Sequence, residues 1–473
     1  MSLLTSVIGK EVREVARDGR LRLLGVIVVV LALAALAFGA QQTQRAQDAR
    51  ERAAQAAQKQ WEGQGDKNPH VAAHYGTHLF APTSVATALD PGVSAYLGRS
   101  VKVEAHKRNL AEHSSAEDGG LRIGQFSVAA VLLLLVPLLI IALGYGSWSL
   151  ERERGTLRQL LSTGVNRSTL MWGKAAALTL VIAALMVPAG LVIVGVLWAL
   201  GGGDGHTLLR LGLTAAGYGT YFGVFGGLTL YASAAARSSR GALVAMVGVW
   251  GLFCLIVPRV ATEIAEVARP LPSASQVSAD IERDLRKGLD GVSDPDKIID
   301  ARIKELMAEE GLVNTGLLVD DAYLTGFELQ AEAEWEDSIY DHHTEALEAA
   351  IADQEAAVAW ASVASPYVAM RSLSAGLSGT DYAHHRHFTD AAERWRKALV
   401  TQLNSDFASN AGAKGWDYQA DEKLWEKAPP FAYAEPGIDF ALRTHWRSLL
   451  GLGLWWVLAV VLAIASARRA RVV

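Results

Sequence analysis

The chain has 473 residues, of which 51% are hydrophobic and 20% are charged, and its formal net charge at pH 7 is −5. This apolar content argues against an ordinary soluble protein of this size, and the small negative charge gives a nucleic-acid partner no support. The single cysteine, Cys254, excludes a disulfide within the chain. The composition predicts membrane spans joined to substantial water-facing segments.

Residues 1–22 predict an amphipathic helix on the cytoplasmic side of a membrane. Leu4, Ile8 and Val12 recur at helical spacing on one face, whereas Lys10 and Arg13 lie elsewhere. A helix with one apolar face and a basic polar face lies in the plane of the membrane interface. We therefore expect this segment to precede the first span without crossing the bilayer.

Six apolar stretches reach or approach the roughly 20 residues that a helix needs to cross the hydrocarbon core. They are residues 23–40, 126–147, 175–200, 211–232, 242–257 and 449–464. None of them contains Asp, Glu, Lys, Arg or His, the side chains on which an intramembrane ion relay depends. The sequence thus predicts an all-α polytopic membrane protein with six transmembrane helices, and it disfavours ion-coupled transport.

Lysine and arginine near the ends of the spans predict the orientation. Basic residues are concentrated before the first span, within 148–174, between the fourth and fifth spans and in the tail 465–473. These segments are expected in the cytoplasm, so both termini are inside. Arg210, Arg259 and Arg447 lie at outer span ends and run against the rule. A cleaved signal peptide is the alternative for the first span, but Phe38 fits poorly beside a cleavage site and an uncleaved anchor is favoured.

Two long segments then fall outside the membrane, residues 41–125 and 258–448, and both have helical patterns. The first begins with an Ala/Gln/Arg-rich run that continues the helix of the first span. In the second, helices are predicted over 293–311, 327–364 and 388–410, the last capped by Thr389 or Asp390. We expect a helical extracytoplasmic domain, with Trp335, Trp360 and Trp395 as candidates for its core.

The charged segment 148–174, which contains ERERGTLRQLLSTGVNRSTLMWGK, separates the second and third spans. The second helix is expected to continue to Arg154 and to break at Gly155. Leu157, Leu160 and Leu161 then share one face of a short helix that ends near Gly164. Such a helix suits docking into a groove of another protein, although a helix lying at the lipid headgroups has the same pattern.

This segment resembles the coupling-helix signature of ABC-2-type permeases, the membrane subunits of one class of ATP-driven exporters. The matching positions are Glu151, Glu153, Gly155, Thr156, Leu157, Leu160, Leu161, Arg167, Gly173 and Lys174. The family often has Pro where this chain has Gly164. Residues 68–98, 258–276 and 365–399 are similar to a bacterial subgroup of these permeases with a large extracytoplasmic domain of unknown function.

The resemblance implies a bacterial inner-membrane permease without its own ATPase site, and the chain indeed lacks the P-loop pattern G-x-x-x-x-G-K-[ST]. ATP and Mg would be bound by a separate cytoplasmic ATPase subunit, and the pathway would need a second permease, either this chain or a paralogue. The leucines would fill a groove of the ATPase, while Glu151, Glu153 and Arg167 set the angle of the helix. A non-transporting scaffold that moves a periplasmic partner, for instance in metal-cofactor or envelope assembly, is the alternative.

Other residues carry weaker signals. The spacing of His70, His74 and His78 could suit a metal ion, as could the group His384, His385 and His387 with Asp381 behind it, but structural roles are favoured. Gly219, Gly223 and Gly227 form a tandem GxxxG that predicts close helix packing, within one bundle or at a dimer seam. The apolar segment 365–379 could lie on the outer membrane surface or in a crevice facing substrate. The sequence offers no catalytic residues.

Overall fold

The computed structural model describes residues 3–106, 126–311 and 321–469, without the side chains of Ala95 and of residues 321–323. This part of the chain is almost entirely helical, and its strands are β1 (Thr77–Phe80) and β2 (Ser100–Val103), which pair antiparallel with Thr77 opposite Val103. The first nine helices are α1 (Leu3–Arg17), α2 (Gly19–Glu62), α3 (Pro69–Tyr75), α4 (Ser94–Leu97), α5 (Val128–Gly144), α6 (Ser149–Glu153), α7 (Thr156–Ser162), α8 (Arg167–Ala199) and α9 (Gly205–Ala235).

The remaining helices belong to the last half of the chain. They are α10 (Ser239–Gly251), α11 (Val257–Ala268), α12 (Ala274–Lys287), α13 (Pro295–Glu309), α14 (Asp321–Trp360), α15 (Pro366–Ser378), α16 (Tyr382–Asn410), α17 (Glu422–Glu426), α18 (Ile438–Thr444) and α19 (Trp446–Arg469). A π-helical segment, Leu252–Ile256, joins α10 to α11 without a break. Pro258 therefore does not end the fifth predicted span; it is the second residue of α11, and the carbonyl of Phe253 in the turn before it accepts from the Ser365 hydroxyl at 2.8 Å.

Five helices in the described residues are long and apolar enough to cross a membrane, and they make the chain a multi-pass membrane protein. They are Gly19–Glu62, Val128–Glu153, Arg167–Ala199, Ser239–Ala268 and Trp446–Arg469. The predicted fourth span, 211–232, lies in α9, which does not reach the same hydropathy because it is rich in glycine, tyrosine and threonine. It packs against α5, α8, α10, α15 and α19, so other helices cover much of its surface.

The core of the helix bundle consists of aliphatic and aromatic side chains from these helices. Tyr221 of α9 is fully buried there, and its hydroxyl donates a hydrogen bond of 2.8 Å to the carbonyl of Leu133 in α5. The indole of Trp250 in α10 donates to the carbonyl of Leu134 at 3.1 Å. Both bonds satisfy a polar group in an otherwise apolar interior, as burial requires.

A second body of structure, here called the large domain, comprises α3, the two strands, α4, α12–α14, α16 and α17. The long helix α2 continues unbroken from the first span into this domain, as predicted, and ends where Trp61 donates to the carbonyl of Trp425 at 3.1 Å. Helix α16 begins earlier than predicted, because Asp381 rather than Thr389 or Asp390 caps it. The two strands were not predicted from the sequence.

The expected core of three tryptophans is wrong. Trp335 packs with Val277, Ile281 and Ile339, whereas Trp395 belongs to separate clusters around α16 and α17. Trp360 is 48% exposed and lies edge-on to Trp446 at the start of α19. The domain therefore has several small hydrophobic clusters and not one core around the three tryptophans.

Segment 365–379 does not lie on a surface. It forms α15, most of which is buried against α9 and α19. Ser365 caps the helix and donates from its hydroxyl to the carbonyl of Phe253 at 2.8 Å. Met370 and Leu373 fit against Gly217 of α9, where an added Cβ would lie 3.1 Å from the methionine. The chain between α14 and α16 of the large domain thus places one helix, α15, in the bundle.

Candidate coupling site

The chain between the second and third spans folds as predicted from Gly155 onwards, but the second helix does not continue to Arg154, because α5 ends at Gly144 and a turn separates it from α6. Helix α6 ends before Gly155, whose φ of 74° is left-handed and favours glycine, and α7 follows. A second left-handed glycine, Gly164 with φ of 86°, follows α7. Asn166 then caps α8, accepting a hydrogen bond from the backbone N–H of Thr169 at 2.6 Å. The short helix is therefore set off on both sides by backbone that resists helical continuation.

The leucine face of α7 points into this chain. Leu157 is only 1% exposed and packs with Val7, Trp148, Leu170 and Met171. Leu160 and Leu161 are half-buried against the same cluster. The expectation that Leu157 fills a groove of a partner is thus wrong for this structure, because its surface is already covered. It anchors α7 to α1 and α8 instead.

A buried group of charges joins three helices beside α7, and we call it the ionic junction: Lys10 and Glu11 of α1, Glu151 of α6 and Lys174 of α8. The Lys174 ammonium lies 2.8 Å from Glu11 Oε1 and 2.8 Å from Glu151 Oε2. Lys10 Nζ lies 2.5 Å from Glu151 Oε1 and 3.0 Å from Glu11 Oε1. Each carboxylate therefore meets both cations.

Three of the four side chains of the ionic junction are almost inaccessible to solvent. The side chain of Lys174 is 1% exposed, and those of Glu11 and Glu151 are 9% and 8% exposed. Lys174 also lies over the ring of Trp148, 5.6 Å from its centroid. A buried charge is stable only when it is paired, so these four residues depend on one another.

The pairing governs the ionisation of the α1 residues. Burial alone would raise the pKa of Glu11, but the charges of Lys174 and Lys10 lower it below its ordinary value. Burial opposes the charge of Lys10, yet Glu11 and Glu151 raise its pKa above the ordinary value. Both groups are charged at neutral pH. Glu14 brings a third carboxylate close to these oxygens, and Lys10 also pairs with it at 3.0 Å.

Two neighbouring residues tie α6 to the turn between α9 and α10. Arg152 donates to the carbonyl of Ala234 at 3.2 Å and to that of Ala236. Glu153 accepts from the backbone N–H of Ser239 at 2.7 Å and from its hydroxyl at 2.8 Å. Ser238 is the N-cap of α10, and Glu153 adds a carboxylate that accepts from the first residue of the helix, where negative charge is favourable. The turn that leads into the fifth span is thus fixed to the helix preceding α7.

The other predicted positions divide between structural and exposed roles. A Cβ on Gly173 would lie 2.3 Å from Val7 Cγ1, so glycine allows α1 and α8 to approach. Thr156 donates from its hydroxyl to the carbonyl of Glu151 at 3.2 Å. Arg167 is exposed at the first position of α8. The residues that α7 itself presents to solvent are Arg158, Gln159 and Ser162, and Thr163 directly after it is also exposed.

Sequence reasoning missed Lys10, Glu11 and Arg152 as members of this site. One signal was available for Glu11: Val7 and Glu11 are one helical turn apart and are the buried residues of α1. An acidic residue in line with the apolar face of an amphipathic helix predicts a buried partner. Beside the junction, a cavity of about 370 Å³ opens between α1 and α7, with Glu14, Gln159 and Thr163 in its wall.

The glycines of α9 pack within the same chain. A Cβ on Gly223 would lie 2.1 Å from Trp456 Cζ3, and one on Gly227 would lie 2.6 Å from the carbonyl oxygen of Ala459. Gly219 faces open space. Two of the three predicted glycines thus allow α9 to approach α19, the last span.

The histidines at 384, 385 and 387 do not converge on a metal site in the described structure. His384 Nδ1 contacts Asp381 Oδ1, whereas His387 Nδ1 lies 3.0 Å from the hydroxyl of Tyr433. Asp381 Oδ2 accepts from His445 Nε2 at 2.6 Å, which links the start of α16 to the start of α19. Asp381 was predicted to orient one imidazole of the group at 384–387, and it contacts His384. It also contacts His445, which comes from a distant segment of the chain.

Comparison with known proteins assigns the chain to a family. A family model described as ABC-2 family transporter protein matches residues 5–466, which is nearly the whole chain. No curated protein matches it. The match includes most of α1 and of α19, as well as the ionic junction and α7. The chain therefore belongs to the ABC-2 transporter family, as a membrane permease component.

Proposed function

We propose that this chain couples a separate cytoplasmic ATPase to export across the bacterial inner membrane. The observation that carries the proposal is the fixation of α7 on one side and its exposure on the other. Leu157 and the ionic junction hold α7 and its flanking turns to α1, α6 and α8. Arg158, Gln159 and Ser162 remain free to meet a partner. A force on the exposed face therefore reaches two membrane helices directly.

The buried charges of the ionic junction favour movement of α1, α6 and α8 together as one unit. Separating a buried ion pair leaves an uncompensated charge and costs about 3–5 kcal/mol, which is more than a typical side-chain contact contributes. Closure of the ATPase would therefore tilt α5–α6, α8 and α1 together. Arg152 and Glu153 would carry the same movement to the start of the fifth span. ATP and Mg would be bound by the ATPase, and both termini of this chain would be cytoplasmic.

A second permease chain, a copy or a paralogue, would complete the pathway. An assembly with two ATPase subunits needs two docking helices, and each permease chain would supply one, its α7. The same orientation would place the large domain outside the cytoplasm, because α2 and α19 lead from the side of α1 and α7 to the side of the domain. The domain would then receive substrate or a periplasmic partner.

The exposed face of α7 provides the test. The substitutions Arg158→Glu and Gln159→Trp together should abolish the vanadate-sensitive ATP hydrolysis that co-elutes with the chain from native membranes. The melting temperature of the permease should not change, since neither side chain is buried. The matched control is Arg286→Glu, which reverses the charge of an exposed helical arginine in the large domain, away from α7. Full ATPase activity in the double variant would overturn the docking assignment.

One structural feature also favours the scaffold alternative, in which the ATPase moves the large domain. Helix α15, which follows α14 and precedes α16 of that domain, packs in the bundle, and Asp381 ties α16 to His445 just before α19. Spin labels at the exposed positions Val292 and Val187 would report the movement of domain against bundle. A nucleotide-dependent change in their distance without substrate flux into vesicles would identify a scaffold. Flux that accompanies hydrolysis would identify an exporter.

A further inference from the structure

We propose that Arg447 binds the phosphate of a phospholipid headgroup, on the side of the membrane where the large domain lies. Arg447 is the second residue of α19 and is half-buried beside the indole rings of Trp360 and Trp446. Its guanidinium carbon lies 5.7 Å from the ring centroid of Trp360 and 4.9 Å from that of Trp446. A cation held by two aromatic rings at the end of a membrane span is placed to meet a lipid headgroup.

The length of α19 places Arg447 at the boundary of the membrane. Between Arg447 and Arg468, α19 contains only uncharged residues. This stretch of about 20 residues is about 30 Å long, which equals the thickness of the hydrocarbon core. The two arginines therefore lie at opposite boundaries of the hydrocarbon core, and Arg447 is at the level of the lipid headgroups.

The end of α14 is held at the same depth by its contacts with α19. Ser362, in the turn after α14, donates from its hydroxyl to the carbonyl of Arg447 at 3.1 Å. The carbonyl of Ser362 accepts from the indole of Trp455 at 3.2 Å. A Cβ on Gly451 would lie 2.6 Å from Ser362 Oγ, so glycine allows this turn to approach α19. Trp360, the last residue of α14, is therefore fixed beside Arg447.

The guanidinium of Arg447 has no acceptor in the part of the chain that the structure describes. Its Nε is buried without a hydrogen-bond partner, and no carboxylate of the described residues lies within 4.0 Å of it. Arg443, four residues earlier, has Asp439 at 3.8 Å. A half-buried charge without a counter-charge is unfavourable, and a phosphate would supply two oxygens that match the planar donors of arginine.

The surface around Arg447 is apolar and accessible. Trp360 and Trp446 are 48% and 47% exposed. Three further large apolar side chains close to them in the sequence are exposed: Val363, Leu449 and Leu450. Indole rings are favoured at the membrane–water boundary because they combine an apolar ring with a polar N–H group. The patch therefore fits both parts of a phospholipid, with the phosphate at Arg447 and the acyl chains on the aliphatic side chains.

Lipid binding explains a basic residue that runs against the predicted orientation. Arg447 lies at an outer span end, where the distribution of basic residues disfavours arginine. Lipid phosphates are present on both faces of a bilayer, so an arginine between aromatic rings has a counter-charge at this face too. The bound lipid would anchor the end of α14, and with it the large domain, to the bilayer. Lipid binding depends only on α19 being a span, whereas the identity of the leaflet rests on the proposed orientation.

The test is the thermal stability of the full-length protein, purified in a maltoside detergent and stripped of lipid. Added phosphatidylglycerol should raise the melting temperature of wild type. Arg447→Gln should need at least about tenfold more of this lipid for half of the shift, because a charge-assisted bond to phosphate is lost. Without lipid the variant should melt close to wild type, since the guanidinium has no hydrogen-bond partner among the described residues. The lipid concentration at half of the shift separates binding from folding.

Matched variants and matched ligands make the assignment specific. Arg443→Gln removes the same charge from a side chain that is 84% exposed and should respond to phosphatidylglycerol as wild type does. Arg447→Lys keeps the charge without the planar donors and should fall between wild type and Arg447→Gln.

Diacylglycerol with the same acyl chains and inorganic phosphate are the ligand controls, and neither should distinguish wild type from Arg447→Gln. Equal responses of these two proteins to phosphatidylglycerol would overturn the proposal. A full shift of wild type with diacylglycerol alone would identify an apolar site instead, and a full shift with inorganic phosphate alone would identify a site for free anions. Because no ATPase is involved, the result is independent of the proposed coupling function.

Discussion

The Lys174 ammonium lies 2.8 Å from Glu151 Oε2, and both side chains are more than nine-tenths buried. Glu151 precedes α7 and Lys174 follows it, so the two ends of the loop that carries α7 are joined through a charge pair. Glu11 adds α1 to the same pair. The ends of two membrane helices, α5–α6 and α8, are therefore joined to α1 around α7.

Replacing Lys174 by Met should destabilise the chain by about 3–5 kcal/mol, because Glu11 and Glu151 lose a buried partner. Thermal unfolding in detergent measures the loss. Adding Glu151→Gln to the same variant should recover part of the stability, since one unpaired charge is removed. Lys10→Met is the matched control, because Lys10 joins the same carboxylates but is 39% exposed. Equal losses of stability in Lys174→Met and Lys10→Met would show that the burial of the lysine does not determine the size of the loss.

Gly173→Ala should destabilise the seam between α1 and α8 by about 1–3 kcal/mol, the usual range for overpacking. The added Cβ would lie 2.3 Å from Val7 Cγ1. The companion change Val7→Ala should restore much of the loss. Gly190→Ala on the same helix meets nothing within 4 Å and should leave the melting temperature unchanged. A melting temperature for Gly173→Ala equal to that of Gly190→Ala would show that the seam is looser than described.

Asp381→Asn should lower stability at neutral pH and flatten its dependence on acid pH. Burial opposes the charge of Asp381, but hydrogen bonds from His384 and His445 lower its pKa well below the usual value. Stability from such a group is fully present above the unfolded pKa of about 3.9 and is lost as pH falls below it. The variant should therefore differ from wild type by about 3 kcal/mol at pH 7 and by less at pH 3. Parallel melting curves across this range would contradict the pairing.

Asp90→Asn should have the opposite effect on stability from Asp381→Asn: it should not lower stability at neutral pH. Burial raises the pKa of Asp90, whose carboxylate accepts from the Ser374 hydroxyl at 2.6 Å and the Gly92 N–H at 3.1 Å. An acid with a raised folded pKa destabilises the fold as pH rises from the unfolded pKa through the folded one. The amide keeps the shape, and Ser374 can accept from it while donating to Tyr218 at 3.1 Å.

Melting temperatures at pH 4 and pH 8 check this prediction. The Asp90→Asn variant should match wild type at pH 4 and equal or exceed it at pH 8. Asp381→Asn, which removes an equally buried carboxylate with a depressed pKa, supplies the comparison. A loss at pH 8 as large as that of Asp381→Asn would show that Asp90 is stabilised as an anion.

Local sequence determined the positions of the spans and the limits of α7. The apolar runs predict the spans because each contains enough residues to cross the hydrocarbon, and Gly155 and Gly164 delimit α7 because their conformations exclude most other residues. The fourth span is the instructive case. Its glycines and tyrosines lower its hydropathy, yet these residues let α9 pack closely within the bundle, where Gly223 and Gly227 meet α19.

Tertiary structure alone decided which distant residues meet. Lys10 and Glu11 reach Lys174 only because α1 lies along α8, and α15 enters the bundle although its sequence is equally compatible with a surface. The ring of His106 lies beside that of His74 because of a strand pair that the helical pattern concealed. The physical reason is that periodicity reports which face of a helix is apolar but carries no information about its neighbour. Charges buried between helices are stable only in the one arrangement that pairs them, and that arrangement is a property of the whole fold.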